Sequence, residues 1–226
     1  MDSPLRRVGL LVPSSNTVME PDLRRCLPAD VTLHTGRMLL DEVTPDGERR
    51  MLDEAVMPAA RALGTAEPHL TVFGCTSAGA LRGLDADAEM TARIAAVTGA
   101  PTVSVITAVR DRLRALGVQR LAVATPYTAA LTGRITAALD DMVDVVAVAH
   151  LGLTDNRRIG DTSPADILAF VRDELGGTDA DAVFISCTNL RAIEALDAVR
   201  DALDVPVTSS NDATVRAVGE RLAVAV

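Results

Sequence analysis

The chain holds 226 residues, 48% of them hydrophobic, enough to bury a full core as one large domain or two small ones. A net charge of -9 and an aromatic content of 2% exclude a basic phosphate-binding face and a base-stacking platform, so nucleic acid is not an expected partner. All 22 basic residues are arginine, and the absence of lysine excludes Schiff-base chemistry, pyridoxal phosphate attachment and a P-loop.

The opening MDSPLRRVGLLVPSS runs into a strand-like segment without the apolar core and cleavage site of a signal peptide. No apolar run approaches the ~18 residues needed to span a bilayer. A cytoplasmic protein with no membrane partner is expected, and its three cysteines, Cys26, Cys75 and Cys187, are expected to stay free. Short apolar runs predict eight strands in chain order, at 7–13, 31–38, 69–75, 102–106, 120–126, 143–150, 181–187 and 205–210. Segments of helical period separate them, which is the pattern of βα units on a parallel sheet. Pro13-Ser14-Ser15-Asn16 closes the first strand as a turn and N-cap, and places Ser15 and Asn16 at a strand end. Cys26 falls in a helical stretch and reads as structural. Thr44-Pro45-Asp46 and Ser163-Pro164-Ala165-Asp166 mark helix starts, and Ser209-Ser210-Asn211 reads as a helix cap.

Eight βα units suggest a TIM barrel, but 226 residues is lean for that fold and the chain carries another period. RVGLLVPSSNT from Arg7 is echoed by RLAVATPYTAA from Arg120, 113 residues on. Cys75 and Cys187 stand 112 apart, and Pro101 and Pro206, in APTVSVITA and VPVTSSNDA, stand 105 apart. Three landmarks recurring in one order predict an α/β fold of two open parallel-sheet domains related by a pseudo-twofold axis. The expected division is residues 1–106 and 107–210, with the segment 211–226 packing back on the first domain.

In open α/β sheets the ligand lies beyond the carboxyl ends of the strands, so Cys75 and Cys187 are expected to face one cleft. Two thiols there suit either a base and an acid on opposite faces of a carbon, or a nucleophile and a proton donor. One must then be a thiolate, and with no cation beside either cysteine in the sequence the helix N-terminus expected after each has to lower its pKa. Thr76, Ser77, Thr188 and Asn189 follow the cysteines and can hydrogen-bond a carboxylate or an enediolate. Asn16 and Tyr127, the only tyrosine, occupy equivalent strand ends and complete this reading. His34, His69 and His150 lie far apart without ligand spacing around them, so no metal and no cofactor is expected.

GLLVPSSNT, a strand-end cysteine in each half, ATPYTAALT and LGLTDNRRIG, in that order, resemble the aspartate/glutamate racemase superfamily, in the branch of maleate cis-trans isomerases and arylmalonate decarboxylases. The resemblance implies that Cys75 adds to an alkene to give a covalent succinyl adduct, and that Cys187 handles the proton. It matches Asn16, Tyr127 and Asn156 of TDN to carboxylate-binding positions. The chain departs from maleate isomerases at Thr76-Ser77, which looks more like the dioxyanion hole of the decarboxylases; those carry glycine where this chain has Cys75. The expected function is a cofactor-independent isomerase of a small carboxylate, most like maleate cis-trans isomerase. The alternatives are a two-thiol amino-acid racemase or an arylmalonate-decarboxylase-like enzyme and, from another class, a non-catalytic metabolite-binding protein. A homodimer is compatible with all of them. Arg37 reads equally as a partner for a substrate carboxylate and as a solvated strand-end arginine.

Overall fold

Val8 to Val12 form an uninterrupted buried run, which marks a strand covered on both faces rather than one that alternates. In the structure, a computed structural model that describes residues 5–226, this run is the heart of β1 (Arg6–Pro13). Residues 1–4, at the start of the expected first domain, lie outside the described residues. β1 pairs in parallel with β2 (Val31–Met38) on one side and β3 (Leu70–Phe73) on the other, and β4 (Thr102–Ser104) lies beyond β3. In the second half, β5 (Arg120–Thr125) lies between β6 (Asp144–His150) and β7 (Ala182–Ile185), with β8 (Val207–Ser209) outermost. The two sheets have the same order, second-first-third-fourth, as a duplication requires.

All eight expected strands form, and those expected at 102–106 and 205–210 stop at Ser104 and Ser209 for one reason. Ser104 and Ser209 turn their hydroxyls back to accept the backbone N–H three residues on, capping α6 (Val105–Ala115) and α11 (Ser210–Leu222). A satisfied helix N-cap outweighs the strand propensity of Val105 and Ile106. The expected caps Thr44 and Ser163 also form, opening α2 (Pro45–Arg50) and α9 (Pro164–Leu175). α2 runs through a π-helical turn, Met51–Ala55, into α3 (Val56–Gly64). The equivalent helices α6 and α11 pack on each other, and α11 also touches β3 and α1 (Met19–Cys26). Among the described residues no helix is long and apolar enough to cross a membrane.

Phe73 and Phe184, 111 residues apart and both fully buried, fill the same place in each core. Immediately after Phe73, Gly74 donates its N–H to the Leu11 carbonyl at 2.7 Å. A Cβ at Gly74 would sit 2.7 Å from that carbonyl and 2.8 Å from the Met19 sulfur. Gly74→Ala is therefore expected to destabilise the fold by about 1–3 kcal/mol, a loss read as a lowered urea midpoint at unchanged slope.

Candidate active site

Each half carries its cysteine just past the third strand. Cys75 has extended backbone, with φ -142° and ψ 113°, and stands at the N-cap of α4 (Thr76–Leu81). Its sulfur lies 3.7 Å from the Ser77 hydroxyl. Cys187 is built differently. Its φ is +117°, a region L residues rarely enter, which costs on the order of 1–3 kcal/mol and persists only where neighbours enforce it. Two contacts enforce it: the Cys187 N–H donates to Ser210 Oγ at 3.0 Å, and the sulfur accepts the Asn189 N–H at 3.3 Å. Tyr127 also faces this sulfur and favours its ionised form.

The expectation that a helix N-terminus follows each cysteine holds only for Cys75. After Cys187 the chain makes a turn, and α10 (Ala192–Leu203) begins at Ala192, too far on to act on the sulfur. The side chain of Asn189 is fixed between the Thr17 N–H and Asn156, which keeps this stretch out of a helix. The expected lowering of the thiol pKa is not found either. Burial is the largest effect on both thiols: it drives Cys75 far above the ordinary range and pushes Cys187 up to about 11. Each sulfur belongs to a residue only 4% exposed, and the backbone N–H of Ala78 at the start of the six-residue α4 does not offset that desolvation.

The polar residues expected around the thiols meet in one cluster and hold the two halves together. Asn16 Oδ1 accepts the N–H groups of Val18 and Met19 at the head of α1, while its Nδ2 donates to Thr188 Oγ1 at 3.0 Å. Thr188 Oγ1 in turn donates to the Gly74 carbonyl. Asn156, the first residue of α8 (Asn156–Asp161), donates to Ser15 Oγ at 2.9 Å and accepts from Asn189. Thr76 Oγ1 donates to Ser210 Oγ at 2.8 Å, and Tyr127 is 2% exposed. The Val43 N–H bonds the Thr154 carbonyl, so a loop from each half also meets there. The Arg37 guanidinium holds the carbonyls of Ser14 and Asn16 and pairs with Glu20. Among the described residues no group of three His, Cys, Asp or Glu is placed to hold a metal.

Three residues at this junction were not expected there. Ser210, read only as part of a cap, bridges Thr76 and the Cys187 N–H across the two halves. Ser210→Ala leaves that buried N–H unpaired and is expected to cost about 1–3 kcal/mol of stability, measured by denaturant unfolding. Asn211 reaches from α11 to Asp22 at 2.8 Å. The third is Glu48, fully buried on α2, whose carboxylate accepts a hydrogen bond from Ser77 Oγ. With Thr44 as N-cap, Val43 and Glu48 take the two positions that pack inward together in a hydrophobic staple, and both are buried. That spacing is the signal in PDGERR that could have revealed Glu48.

Burial pushes the Glu48 carboxyl up to about 8. Its charge is felt at Cys75, Cys187 and Tyr127 alike, so the four ionisable groups lie near one another in the buried interior.

The sequence model of the arylmalonate decarboxylase family matches residues 8–224. A maleate isomerase of Geobacillus stearothermophilus is 30% identical, over 92% of this chain and 88% of its own. An arylmalonate decarboxylase of Bordetella bronchiseptica is also 30% identical, over 91% of this chain and 86% of its own. Among solved structures, a cysteine-to-alanine variant of the maleate isomerase Iso from Pseudomonas putida S16, with maleate, superposes with a TM-score of 0.90 at 27% identity, covering 97% of this chain and 93% of that one.

Proposed function

The chain belongs to the arylmalonate decarboxylase family, and from that premise we propose that it is a cofactor-independent cis-trans isomerase that converts maleate to fumarate. The observation that carries this reading is that both strand-end thiols, Cys75 and Cys187, lie in one buried cluster of hydrogen-bonding side chains. The family relative from Geobacillus stearothermophilus, a maleate isomerase, supports it.

In the proposed reaction Cys75, once deprotonated, forms a C–S bond to one alkene carbon. The alkene pair moves to the neighbouring carbon, which takes the Cys187 thiol proton. The former double bond is now single and rotates. Cys187 takes the proton back, the double bond re-forms in the trans geometry and the C–S bond breaks, restoring the Cys75 thiolate. Every step moves only protons and electron pairs. A Cys187 pKa of about 11 keeps that thiol protonated at neutral pH, as a donor must be. Tyr127, Asn16, Asn156, Ser15, Thr188 and Asn189 are assigned to the substrate carboxylates, with Thr76 and Ser77 at the head of α4 stabilising charge that develops next to the adduct. In the structure several of these groups bond one another, so substrate takes the place of contacts between the halves. We assign the lobes to residues 1–106, with 211–226 returning onto them, and to 107–210. The packing of α11 on β3 and α1 supports that return.

Proton NMR of the protein with maleate tests the reading: the alkene signal of fumarate should grow in. If maleate is unchanged while an amino acid exchanges its α-hydrogen in heavy water, the enzyme is a racemase. Thermal stabilisation by a carboxylate with neither turnover nor exchange would mark a binding protein.

A further inference from the structure

Glu48 has no part in the scheme above, and the scheme leaves one proton without a destination. Cys75 must lose its thiol proton before it can add to an alkene, and no histidine, lysine or arginine side chain is bonded to it. We propose that Glu48 accepts the Cys75 thiol proton through the Ser77 hydroxyl and holds it while the adduct exists. This rests on the isomerase reading.

The geometry is a continuous line. Cys75 Sγ lies 3.7 Å from Ser77 Oγ, and Ser77 Oγ donates to Glu48 Oε1. As the S–H bond breaks, Ser77 Oγ takes that proton while its own passes to Glu48 Oε1. The carboxylate becomes a neutral acid and the thiol a thiolate, whose electron pair makes the C–S bond. When the C–S bond breaks, the two protons return by the same line. Cys187 keeps its own proton for carbon.

Glu48 is not placed as a structural anchor. Asp22, a buried carboxylate that does anchor, is held by Arg25 and Asn211. Glu48 has no cation, and its Oε2 is buried without any partner. The titratable groups that face it are Cys75, Cys187 and Tyr127. α4, packed against α2, carries no charged residue, and in the adjoining π-helical turn Asp53 is exposed and paired with Arg82. On α2 itself, Asp46 pairs with Arg49 near solvent and Arg50 is exposed. As a carboxylate, Glu48 repels a thiolate at Cys75, and as a neutral acid it does not. Carboxylate and thiolate therefore exclude each other, which is the condition for one proton to be shared between them.

The test compares Glu48→Gln, Glu48→Asp and Ser77→Ala with the wild-type chain by two readouts. The first is the ultraviolet absorbance of thiolate against pH in free protein, with Cys75→Ser as the blank. Removing the repelling carboxylate in Glu48→Gln should bring the Cys75 thiolate in at lower pH. The second is kcat and KM for maleate against pH. Wild-type kcat/KM should rise as pH passes upward through Glu48's titration near 8. Glu48→Gln should lose that rise and about 100- to 10,000-fold in kcat, even though its thiol has become more acidic. Glu48→Asp should keep part of the rate and the rise. Ser77→Ala should match Glu48→Gln, with no further loss in the double variant. A purely electrostatic or structural Glu48 would not make the thiol more acidic and the enzyme slower together. Wild-type kcat in Glu48→Gln, or an unmoved thiolate titration, overturns the proposal. Should Glu48→Gln not fold, Ser77→Ala decides by rate alone: a loss of about 100- to 10,000-fold in kcat supports the relay, and wild-type kcat overturns it. Should the wild type leave maleate untouched, the isomerase reading fails, and the thiolate titration alone decides whether Glu48 and Cys75 share a proton.

Discussion

Replacing Cys75 by alanine is expected to lower maleate turnover by at least ~1,000-fold while the protein stays folded, because the covalent route disappears with its nucleophile. The Cys75 backbone is extended, a conformation alanine adopts without strain, and the side chain ends a strand instead of bridging the two halves. The sulfur is replaced by a void smaller than a leucine side chain, so stability should fall by about 1 kcal/mol, below the 2–5 kcal/mol of large core truncations. NMR-monitored conversion reads the first effect and a thermal melt the second. Turnover above a tenth of wild type in well-folded Cys75→Ala would remove the covalent mechanism. Cys187→Ala should also be severely impaired, and the double variant hardly worse than the worse single one, since groups that act as a unit lose their effect together.

Stability should fall as the solution is made alkaline, over a range in which most proteins are indifferent. Burial raises the folded-state pKa of Glu48 from 4.5 to about 8 and that of Asp87 from 3.8 to about 6. Both carboxyls therefore hold protons more tightly folded than unfolded. Their contribution is fully present below the unfolded values and is lost as pH rises through the folded ones. For Asp87 the window runs from about 4 to 6, and for Glu48 from about 4.5 to 8. At 1.36 kcal/mol per pKa unit, Glu48 accounts for at most on the order of 4 kcal/mol of the difference between pH 5 and pH 9. Urea unfolding at pH 5, 7 and 9 should show the decline, and Glu48→Gln should flatten most of it above pH 6. A wild-type curve level from pH 5 to 9 would mean that the folded protein ionises Glu48 without penalty.

The fold was legible because its signals are local and repeated. Apolar runs such as Val8–Val12 and the capping residues Thr44 and Ser163 each specify their element within a few residues. The echo of FGCTSAGA in FISCTNLR located both cysteines at once. Strand ends were less legible at Ser104 and Ser209, where one hydroxyl decides between cap and strand. The thiol environment was not legible at all. A strand-end position says where a chain turns, but the desolvation of its sulfur depends on residues brought in from the other half, as Thr188 is against the Gly74 carbonyl beside Cys75. Glu48 escaped for a related reason: beside Asp46, Arg49 and Arg50 it reads as one more solvated charge, and only the inward side of the cap distinguishes it.

The left-handed backbone at Cys187 makes the two halves unequal in what evolution can do with them. Cys75 stands where many side chains fit the main chain, so that position can be exchanged with little penalty beyond the lost chemistry. At 187 the strain belongs to the position, and serine or alanine there would inherit it undiminished; only glycine would relax it, and glycine brings no functional group. Glycine would therefore relieve the main chain at residue 187 and relieve nothing at residue 75. Equivalent ends of the two halves thus respond differently to one and the same substitution.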